Sequence, residues 1–415
     1  MVGVEIAMTS TTGPRLRVGL FTDSYAPSRN GVAIAVGQLR AHLAAHGHEV
    51  VVVAPRGRPT GRFTRREFLM SSVRVRGIHP PVATGLGFRR CARELACMEL
   101  DLVHVHGFGP VSLLGIHIAR RAGVPLVVTW HTDLTGYVRH YRHLAPVLAL
   151  WAVVVRRVCG RVTPDMPTGT TWRERRATAV CAAILRSASL VIAPSRKTNT
   201  RVAPLAGGAP VLTLPTGADP ILPATPLPGF RWTRPVILYV GRIAPEKGID
   251  LLLDAFLRLR ADLPDATLVL VGDHTCARGL RRRLRMMRGH GVDVVGEIAR
   301  SAVGGYYAAA DIFVFPSTTD TQGLVLHEAA HAGVPLVMVD DELAGDLATG
   351  STILVTTPHS TALAGAMKTM AERSAEPGFA RRDGKRYAAR FSVERQHEAL
   401  VAGYFGCVDE QAARA

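Results

Sequence analysis

The clearest indication of the fold is the stretch Val236-Ile-Leu-Tyr-Val-Gly-Arg-Ile-Ala-Pro-Glu-Lys-Gly248, followed by the run from Ile249 to Leu263. The first five residues are apolar, and a short apolar run that ends at a glycine predicts a buried strand. The run behind the second glycine is amphipathic and predicts a helix. Strand, glycine-bracketed loop and helix in this order predict an α/β fold with a parallel sheet.

Short apolar runs of the same kind recur between helix-like stretches along the whole chain. In the first half they are Leu16–Phe21, Val50–Ala54, Leu102–His106, Leu126–Trp130, Leu190–Ala193 and Val211–Leu214. In the second half Val236–Val240 is joined by Thr267–Val271, Val292–Val295, Ile312–Phe315, Leu336–Val339 and Thr352–Val355. The sequence therefore predicts two doubly wound, Rossmann-like domains that face a central cleft, where ligands bind in open α/β sheets.

The boundary between the two predicted domains lies at residues 220–235. Five prolines in these sixteen residues prevent regular secondary structure. Residues 15–219 then form the N-terminal domain and residues 236–391 the C-terminal domain, which suits a chain of 415 residues. Residues 1–14 are predicted to be a disordered start.

The formal net charge of +17 comes from 50 basic residues, of which only four are lysines. An arginine bias of this kind is typical of a GC-rich coding sequence, and the remaining charge favours a phosphorylated substrate or an anionic membrane. No nucleic-acid-binding motif accompanies it, so no nucleic-acid partner is expected. The six cysteines lack Cys-x-x-Cys spacing, which argues against a structural zinc site. Because no apolar run reaches the roughly 18 residues that span a bilayer, and no secretion signal is recognised, a cytoplasmic protein is expected.

Candidate ligand-binding residues follow the predicted strands of the second half. Arg242 and Lys247 lie in the glycine-bracketed loop, just before a helix, where two cations can hold a pyrophosphate; the alternative is a solvated charged loop. Asp320 follows the strand Ile312–Phe315, and Glu328 lies about a turn inside the next predicted helix. Two carboxylates at one cleft can position the hydroxyls of a sugar and of a ribose, although taken alone they also suit a helix-start acid and an exposed acid.

The first half offers weaker candidates. Gly31 stands at a predicted helix start, where a ligand phosphate can approach the backbone N–H groups, but an ordinary strand-to-helix turn has the same appearance. His131 and Asp133 end the fourth strand and can hydrogen-bond sugar hydroxyls. His104 and His106 end the preceding strand and are interpreted as core or rim histidines.

The order and spacing of these elements resemble the retaining glycosyltransferases of family 4, which have the GT-B fold. The resemblance runs from about Leu16 to about Tyr404 and rests on Gly241-Arg242 through Lys247-Gly248 and on the acid-x7-Glu pair that ends in Glu328. It is supported by Val191-Ile-Ala-Pro-Ser195, Val271-Gly-Asp273, Gly296-Glu297 and Asp311. It implies a hexosyltransferase that uses a nucleoside-diphosphate sugar as co-substrate, with no tightly bound cofactor and no required metal.

The resemblance also implies roles for individual positions. Arg242 and Lys247 would hold the donor diphosphate, helped by the backbone at Gly31. The remaining donor-site positions are Glu328 for the ribose, Ile298 near the nucleobase, Asp320 and His131 for the sugar, and Gly323 beside Asp320. The C-terminal domain would bind the UDP- or GDP-linked donor and the N-terminal domain the acceptor. The final segment, residues 392–415 with a helix at about Ser392–Phe405, would cross back to the N-terminal domain.

One departure from the family pattern concerns the first acid of the pair, which is Asp320 where the family usually has Glu. The shorter side chain would shift donor preference or weaken transfer. The Thr-Gln-Gly-Leu sequence behind it, and the His-Thr-Asp-x-x-x-Tyr sequence at His131, are similar to members that glycosylate lipid, lipid-linked or polyol acceptors with α-mannosyl or α-glucosyl groups. A soluble natural product or metabolite as acceptor, and a catalytically silent sugar-nucleotide-binding protein, are the alternatives.

Peripheral contact with the inner face of an anionic membrane is one interpretation of the segment between Leu134 and Ser187. This segment contains nine arginines and only two acidic residues, Asp165 and Glu174. Each cation near an anionic surface contributes about 1 kcal/mol to binding. A solvated helical face in an arginine-biased protein is the other interpretation, and the sequence leaves both open.

Overall fold

The computed structural model describes residues 14–28, 30–58, 61–75, 81–140, 145–164, 170–217, 232–273, 278–347, 352–376, 379 and 392–414. The predictions for the first 13 residues and for most of the 220–235 boundary lie outside the described residues.

Two separate sheets form the framework. The strands of the first sheet lie in the order β10-β9-β8-β7-β1-β2-β4-β3 and are parallel except for the pair β3 and β4. They are β1 (Arg17–Thr22), β2 (Glu49–Pro55), β3 (Arg62–Phe63), β4 (Glu67–Met70), β7 (Leu102–His106), β8 (Leu126–Thr129), β9 (Leu190–Ala193) and β10 (Val211–Thr213). A separate two-stranded ribbon consists of β5 (Ser72–Val73) and β6 (Val82–Ala83).

The second sheet is parallel throughout its described pairings and has the order β13-β12-β11-β14-β15-β16. Its strands are β11 (Val236–Val240), β12 (Thr267–Val271), β13 (Val292–Gly296), β14 (Ile312–Phe315), β15 (Leu336–Met338) and β16 (Ile353–Val355). The predicted fold class, two doubly wound Rossmann-like α/β units, is confirmed. The sequence did not reveal the short strands β3 to β6.

Helices connect successive strands of both sheets. They are α1 (Gly31–Ala45), α2 (Phe88–Ala96), α3 (Pro110–Ala122), α4 (Leu134–His140), α5 (Ala145–Cys159), α6 (Trp172–Leu185), α7 (Arg196–Val202), α8 (Ile249–Asp262), α9 (Arg278–Met287), α10 (Arg300–Ala309), α11 (Leu324–His331), α12 (Asp341–Ala344), α13 (Ser360–Ala375) and α14 (Val393–Arg414). A single turn of 3-10 helix at Pro245–Lys247 precedes α8.

The final helix α14 packs on the first sheet. Leu400 and Tyr404 are buried in one apolar cluster with Val18 and Leu20 of β1. The Tyr404 hydroxyl lies 2.6 Å from Nδ1 of His104, a buried contact that joins positions 300 residues apart. The chain thus returns from the second sheet to complete the core of the first.

Strand order locates the place where each sheet can hold a ligand. In the first sheet β1 has β7 on one side and β2 on the other, and in the second sheet β11 lies between β12 and β14. The connections that follow two such neighbouring strands run to opposite sides of the sheet, which leaves a crevice at the carboxyl ends of these strands. The loops behind β1 and β7, and behind β11 and β14, border these crevices.

Candidate active site

The loops behind β11 and β14 interlock at the crevice of the second sheet. Gly248 has φ 71°, and a Cβ atom there would lie 2.2 Å from the carbonyl oxygen of Pro316, so only glycine fits. The Thr319 hydroxyl donates to the carbonyl of Glu246 over 2.9 Å. Each loop thereby fixes the position of the other.

The two predicted cations of this crevice are both held by carboxylates. Arg242 donates to Glu246, whose side chain is buried, and Lys247 donates to Asp320. The Arg242 and Lys247 side chains keep 30% and 24% of their surface exposed, so they remain accessible from the crevice. Cations that are pre-oriented by carboxylates and still reachable by a ligand suit the binding of a diphosphate.

Asp320 is ionised, and one of its two carboxylate oxygens is available to a ligand. Burial alone would raise the pKa of its carboxyl group, but Lys247, Ser317 and Lys197 together outweigh burial and hold the pKa below its usual value. Oδ1 accepts from Lys247, and the buried Oδ2 has no hydrogen-bond partner among the residues that the structure describes. Because unpaired buried oxygens are rare, Oδ2 is positioned to accept a hydrogen bond from a ligand hydroxyl.

Glu328 has a different environment. It is buried in α11, where Oε1 accepts from Arg300 over 2.8 Å and Oε2 accepts from the Tyr307 hydroxyl over 3.0 Å. Burial raises the pKa of Glu328, while Arg300 and Tyr307 act in the opposite direction. The sequence prediction included Glu328 but missed both partners. Each oxygen retains a second lone pair for a ligand hydroxyl.

Ile298 lies between β13 and α10, two residues before Arg300. Its partly buried side chain packs against the apolar cluster that contains Phe313 and Val269. The structure therefore places Ile298 next to the helix start that supplies the partner of Glu328.

Two helix starts approach each other across the crevice. Gly31 is the first residue of α1, and a Cβ atom built on it would lie 3.3 Å from Cδ1 of Leu324, the first residue of α11. Gly323 precedes α11 with φ 74°, a backbone conformation that favours glycine. The amino ends of two helices that belong to different sheets thus meet, and such ends attract anions through their unpaired N–H groups.

Two imidazoles, those of His106 and His131, lie at the carboxyl edge of the first sheet, and a third, that of His104, is buried in the middle of β7. His104 contacts both Tyr404 and the Thr129 hydroxyl, the latter at 2.7 Å from Nε2. Nδ1 of His106 lies 3.1 Å from Nε2 of His131, with the two rings stacked. Burial lowers the pKa of all three rings, to about 4 for His131, so they are neutral at pH 7.

Both carboxylate oxygens of Asp133 already have protein partners. Its Oδ1 accepts from the backbone N–H of Gly136 over 2.9 Å, within α4, and its Oδ2 pairs with Arg201 at the same distance. The carboxylate is therefore occupied by structural bonds. His131, by contrast, is joined to the second sheet, because its carbonyl accepts from the Thr321 hydroxyl over 3.0 Å.

The described part of the chain contains no cluster of three His, Cys, Asp or Glu side chains that could hold a metal ion. Within the same residues, none of the helices has both the length and the apolar character needed to span a bilayer.

Two family models match the chain. The one described as Glycosyltransferase Family 4 matches residues 29–222, and the one described as Glycosyl transferases group 1 matches residues 234–373. Together they cover the second sheet, the first sheet except β1, and the residues Gly31, His131, Arg242, Lys247, Asp320 and Glu328.

Several characterised proteins are similar to the chain over most of its length. The α-monoglucosyldiacylglycerol synthase of Acholeplasma laidlawii is 26% identical over 79% of this chain and 81% of its own. A GDP-mannose-dependent α-mannosyltransferase of Mycobacterium tuberculosis is 29% identical over 84% and 83%. Among solved structures, Anabaena HepE in complex with UDP-glucose superimposes with a TM-score of 0.64 at 18% identity, over 93% of this chain and 99% of that one, which is a likeness of fold.

Proposed function

We propose that this chain, which belongs to glycosyltransferase family 4 and is a hexosyltransferase with the GT-B fold, moves a hexose from UDP or GDP to a hydroxyl group. The acceptor is a lipid, a lipid-linked molecule or a polyol, and the transferred hexose retains the α configuration. The observation that carries the proposal is the Lys247 and Asp320 pair beside Arg242, between two helix starts. Relatives whose names specify GDP-mannose and a diacylglycerol product support the two substrate classes.

The donor occupies the crevice of the second sheet in this proposal. Its diphosphate contacts the exposed parts of Arg242 and Lys247, which stay paired with Glu246 and Asp320, and receives backbone N–H groups from the starts of α1 and α11. The ribose hydroxyls bind the free lone pairs of Glu328, and the base lies over Ile298. The hexose hydroxyls then reach Oδ2 of Asp320 and the neutral ring of His131.

The reaction follows from this placement. The bond between the anomeric carbon and the diphosphate oxygen breaks, and Arg242 and Lys247 stabilise the negative charge on the leaving group. The acceptor oxygen attacks the same face of the sugar, and its proton passes to the departing phosphate oxygen. The ionised Asp320 carboxylate and the neutral His131 orient the sugar, and no protein nucleophile is needed.

The acceptor side of the proposal rests on α5 and α6. Leu150 is 70% exposed and Val147 is also exposed on α5, while Trp172 at the start of α6 is half exposed. The guanidinium groups of Arg173 and Arg176 lie 5.6 and 5.0 Å from the Trp172 ring. Exposed apolar side chains among arginines fit the interface of an anionic bilayer, where a lipid acceptor would be found.

The proposal is tested first on the donor. A thermal-shift panel of UDP-glucose, UDP-galactose, UDP-N-acetylglucosamine and GDP-mannose should give a clear stabilisation with one donor, which is then offered with diacylglycerol in phosphatidylglycerol vesicles or with soluble inositol. The coupling constant of the anomeric proton in the product should report an α linkage. A protein that neither shifts with any donor nor hydrolyses one would favour a silent binder.

The membrane surface is tested by a matched pair of variants. Leu150→Gln combined with Trp172→Gln should reduce sedimentation with phosphatidylglycerol vesicles, because both side chains would leave the interface. Leu257→Gln, at another exposed apolar residue on α8, should leave it unchanged. Equal effects of both, or none, would move the acceptor to the soluble class.

A further inference from the structure

A buried ion pair connects the two halves of the molecule away from the residues assigned above. Lys197 of α7, in the first half, donates to Asp340, which precedes α12 in the second half. The two side chains are 1% and 3% exposed. Nζ of Lys197 also donates to the carbonyl of Thr318 over 2.9 Å. One ammonium group thus holds two separate segments of the second half.

Stability alone is a poor explanation for this pair. Two charges lose their hydration on burial, and well-packed apolar residues of similar size often stabilise a protein as well or better. What a buried Lys with defined partners supplies is placement, since leaving either charge unpaired would cost several kcal/mol.

Segment 318–322 is bonded to the first half at three of its five residues, Thr318, Thr321 and Gln322. The carbonyl of Thr321 accepts from the hydroxyls of Ser195 and Thr198, the latter over 2.8 Å. The amide of Gln322 exchanges two hydrogen bonds with the backbone of Thr216, at 2.8 and 2.9 Å. The segment is bonded to its own half at Thr319, which donates to Glu246, and at Asp320, which accepts from Lys247. The loop that carries Asp320 is thus held from both sides.

We propose that Lys197 is a positioning residue for Asp320: by clamping Thr318 and Asp340, the first half holds segment 318–322 in the conformation that presents the Asp320 carboxylate to the donor sugar. This inference rests on the proposed function for its catalytic consequence, but the clamp itself does not. A donor site assembled in this way is complete only while the two halves are closed on each other.

The test removes both charges together, because Lys197→Met alone would leave Asp340 buried and unpaired. In Lys197→Met with Asp340→Asn, the asparagine oxygen can still accept from the N–H of Leu343, as Asp340 does over 3.0 Å. Lys368→Met with Asp262→Asn removes an ion pair of the same residue types whose side chains are 40% and 55% exposed, and serves as the matched control.

Hydrogen–deuterium exchange of peptides that cover 316–323 gives a readout without substrate. Exchange there should be about tenfold faster in the Lys197 double variant than in the wild type, because local opening becomes easier, while the control exchanges like the wild type. Unchanged exchange in the double variant would overturn the clamp, whatever the protein does with sugar nucleotides.

Kinetics with the donor found in the panel test the catalytic part. A displaced carboxylate should lower kcat about 10- to 100-fold, with the KM for the donor changed less than about threefold because Arg242 and Lys247 are intact. A rise in KM with an unchanged kcat would reduce Lys197 to a structural residue.

Discussion

The two carboxyl edges that border the crevice differ in charge. The edge of the second sheet presents ionised side chains in opposite-sign pairs, Arg242 with Glu246 and Lys247 with Asp320. The edge of the first sheet presents the neutral histidines 106 and 131. In the proposed reaction the fixed positive charge of the second edge would bind the leaving diphosphate, and the neutral imidazoles of the first edge would bind hydroxyls without attracting the phosphates, so the two halves would divide the work.

Burial disfavours the charged form of the side chains at both edges, but only the second edge compensates with an opposite charge. Among the residues that the structure describes, no carboxylate compensates these histidines for their lost hydration. Burial therefore lowers the imidazole pKa, and the rings stay uncharged. Around Asp320 the Lys247 ammonium compensates, and the carboxylate stays charged. The same low-dielectric cleft therefore keeps the histidines neutral and Asp320 ionised.

The largest effect is expected from removing charge at the second edge. Lys247→Met should weaken binding of the donor about a hundredfold, equivalent to about 3 kcal/mol, because a partly buried charge-assisted contact to phosphate is lost. Isothermal titration calorimetry with the donor, and with the corresponding nucleoside diphosphate alone, would measure it.

The matched control for this variant is Lys368→Met, which removes an exposed lysine of α13 and should leave the dissociation constant unchanged. If Lys247→Met bound the donor as tightly as the wild type, the charge at the second edge would not serve the diphosphate, and the division between the edges would fail.

An intermediate effect is expected at the first edge on acidification. The folded pKa of His131 is lowered to about 4 from the ordinary 6.5, so the unfolded chain binds the proton first as the pH falls. The stability contributed by the neutral ring is therefore complete above about pH 6.5 and is lost towards pH 4, by about 2 kcal/mol when its partial exposure is allowed for.

Calorimetric Tm values at pH 7.5, 6 and 5 would measure this loss. His131→Asn should make the dependence shallower because asparagine does not titrate, while His104, His106, His327 and His397, whose pKa values burial also lowers, continue to contribute. Hydrogen exchange at pH 5 should increase at residues 102–106 and 126–131 before it increases at 241–248. An order of opening in which the second edge goes first would contradict the electrostatic contrast between the two edges.

Local patterns of apolar residues were sufficient to predict most of the strands from the sequence. Strands such as Leu102–His106 and Thr267–Val271 coincide with the predicted runs, because strands buried on both faces are continuous apolar segments. The strands β3 and β4 were missed, since β3 has two residues and β4 only four, too few to form a recognisable apolar run.

The candidate site was predictable as a set of residues but not as a set of contacts. Strand ends predict which side chains reach the crevice, but the pairing of Glu328 with Arg300 depends on how α10 packs beside α11. The contact between Lys197 and Asp340 joins positions 143 residues apart, and it requires the relative placement of two sheets. Only tertiary structure provides this information.

The smallest effect is expected within the first edge, at His106. Its Nδ1 faces Nε2 of His131 at 3.1 Å, and its buried Nε2 has no hydrogen-bond partner among the described residues. His106→Leu should therefore remove one uncharged hydrogen bond, worth about 1 kcal/mol, and lower kcat/KM about three- to tenfold by releasing the orientation of the His131 ring.

Two further variants separate orientation from packing. His106→Asn places an amide near the position of Nδ1 and should recover most of the activity that His106→Leu loses. His104→Leu instead removes the contacts to Tyr404 and Thr129, so it should lower Tm by several degrees with a smaller effect on kcat/KM measured well below that Tm. If asparagine and leucine at position 106 were equally impaired while Tm stayed constant, the His106 ring would act through its shape, and the neutral edge would owe its chemistry to His131 alone.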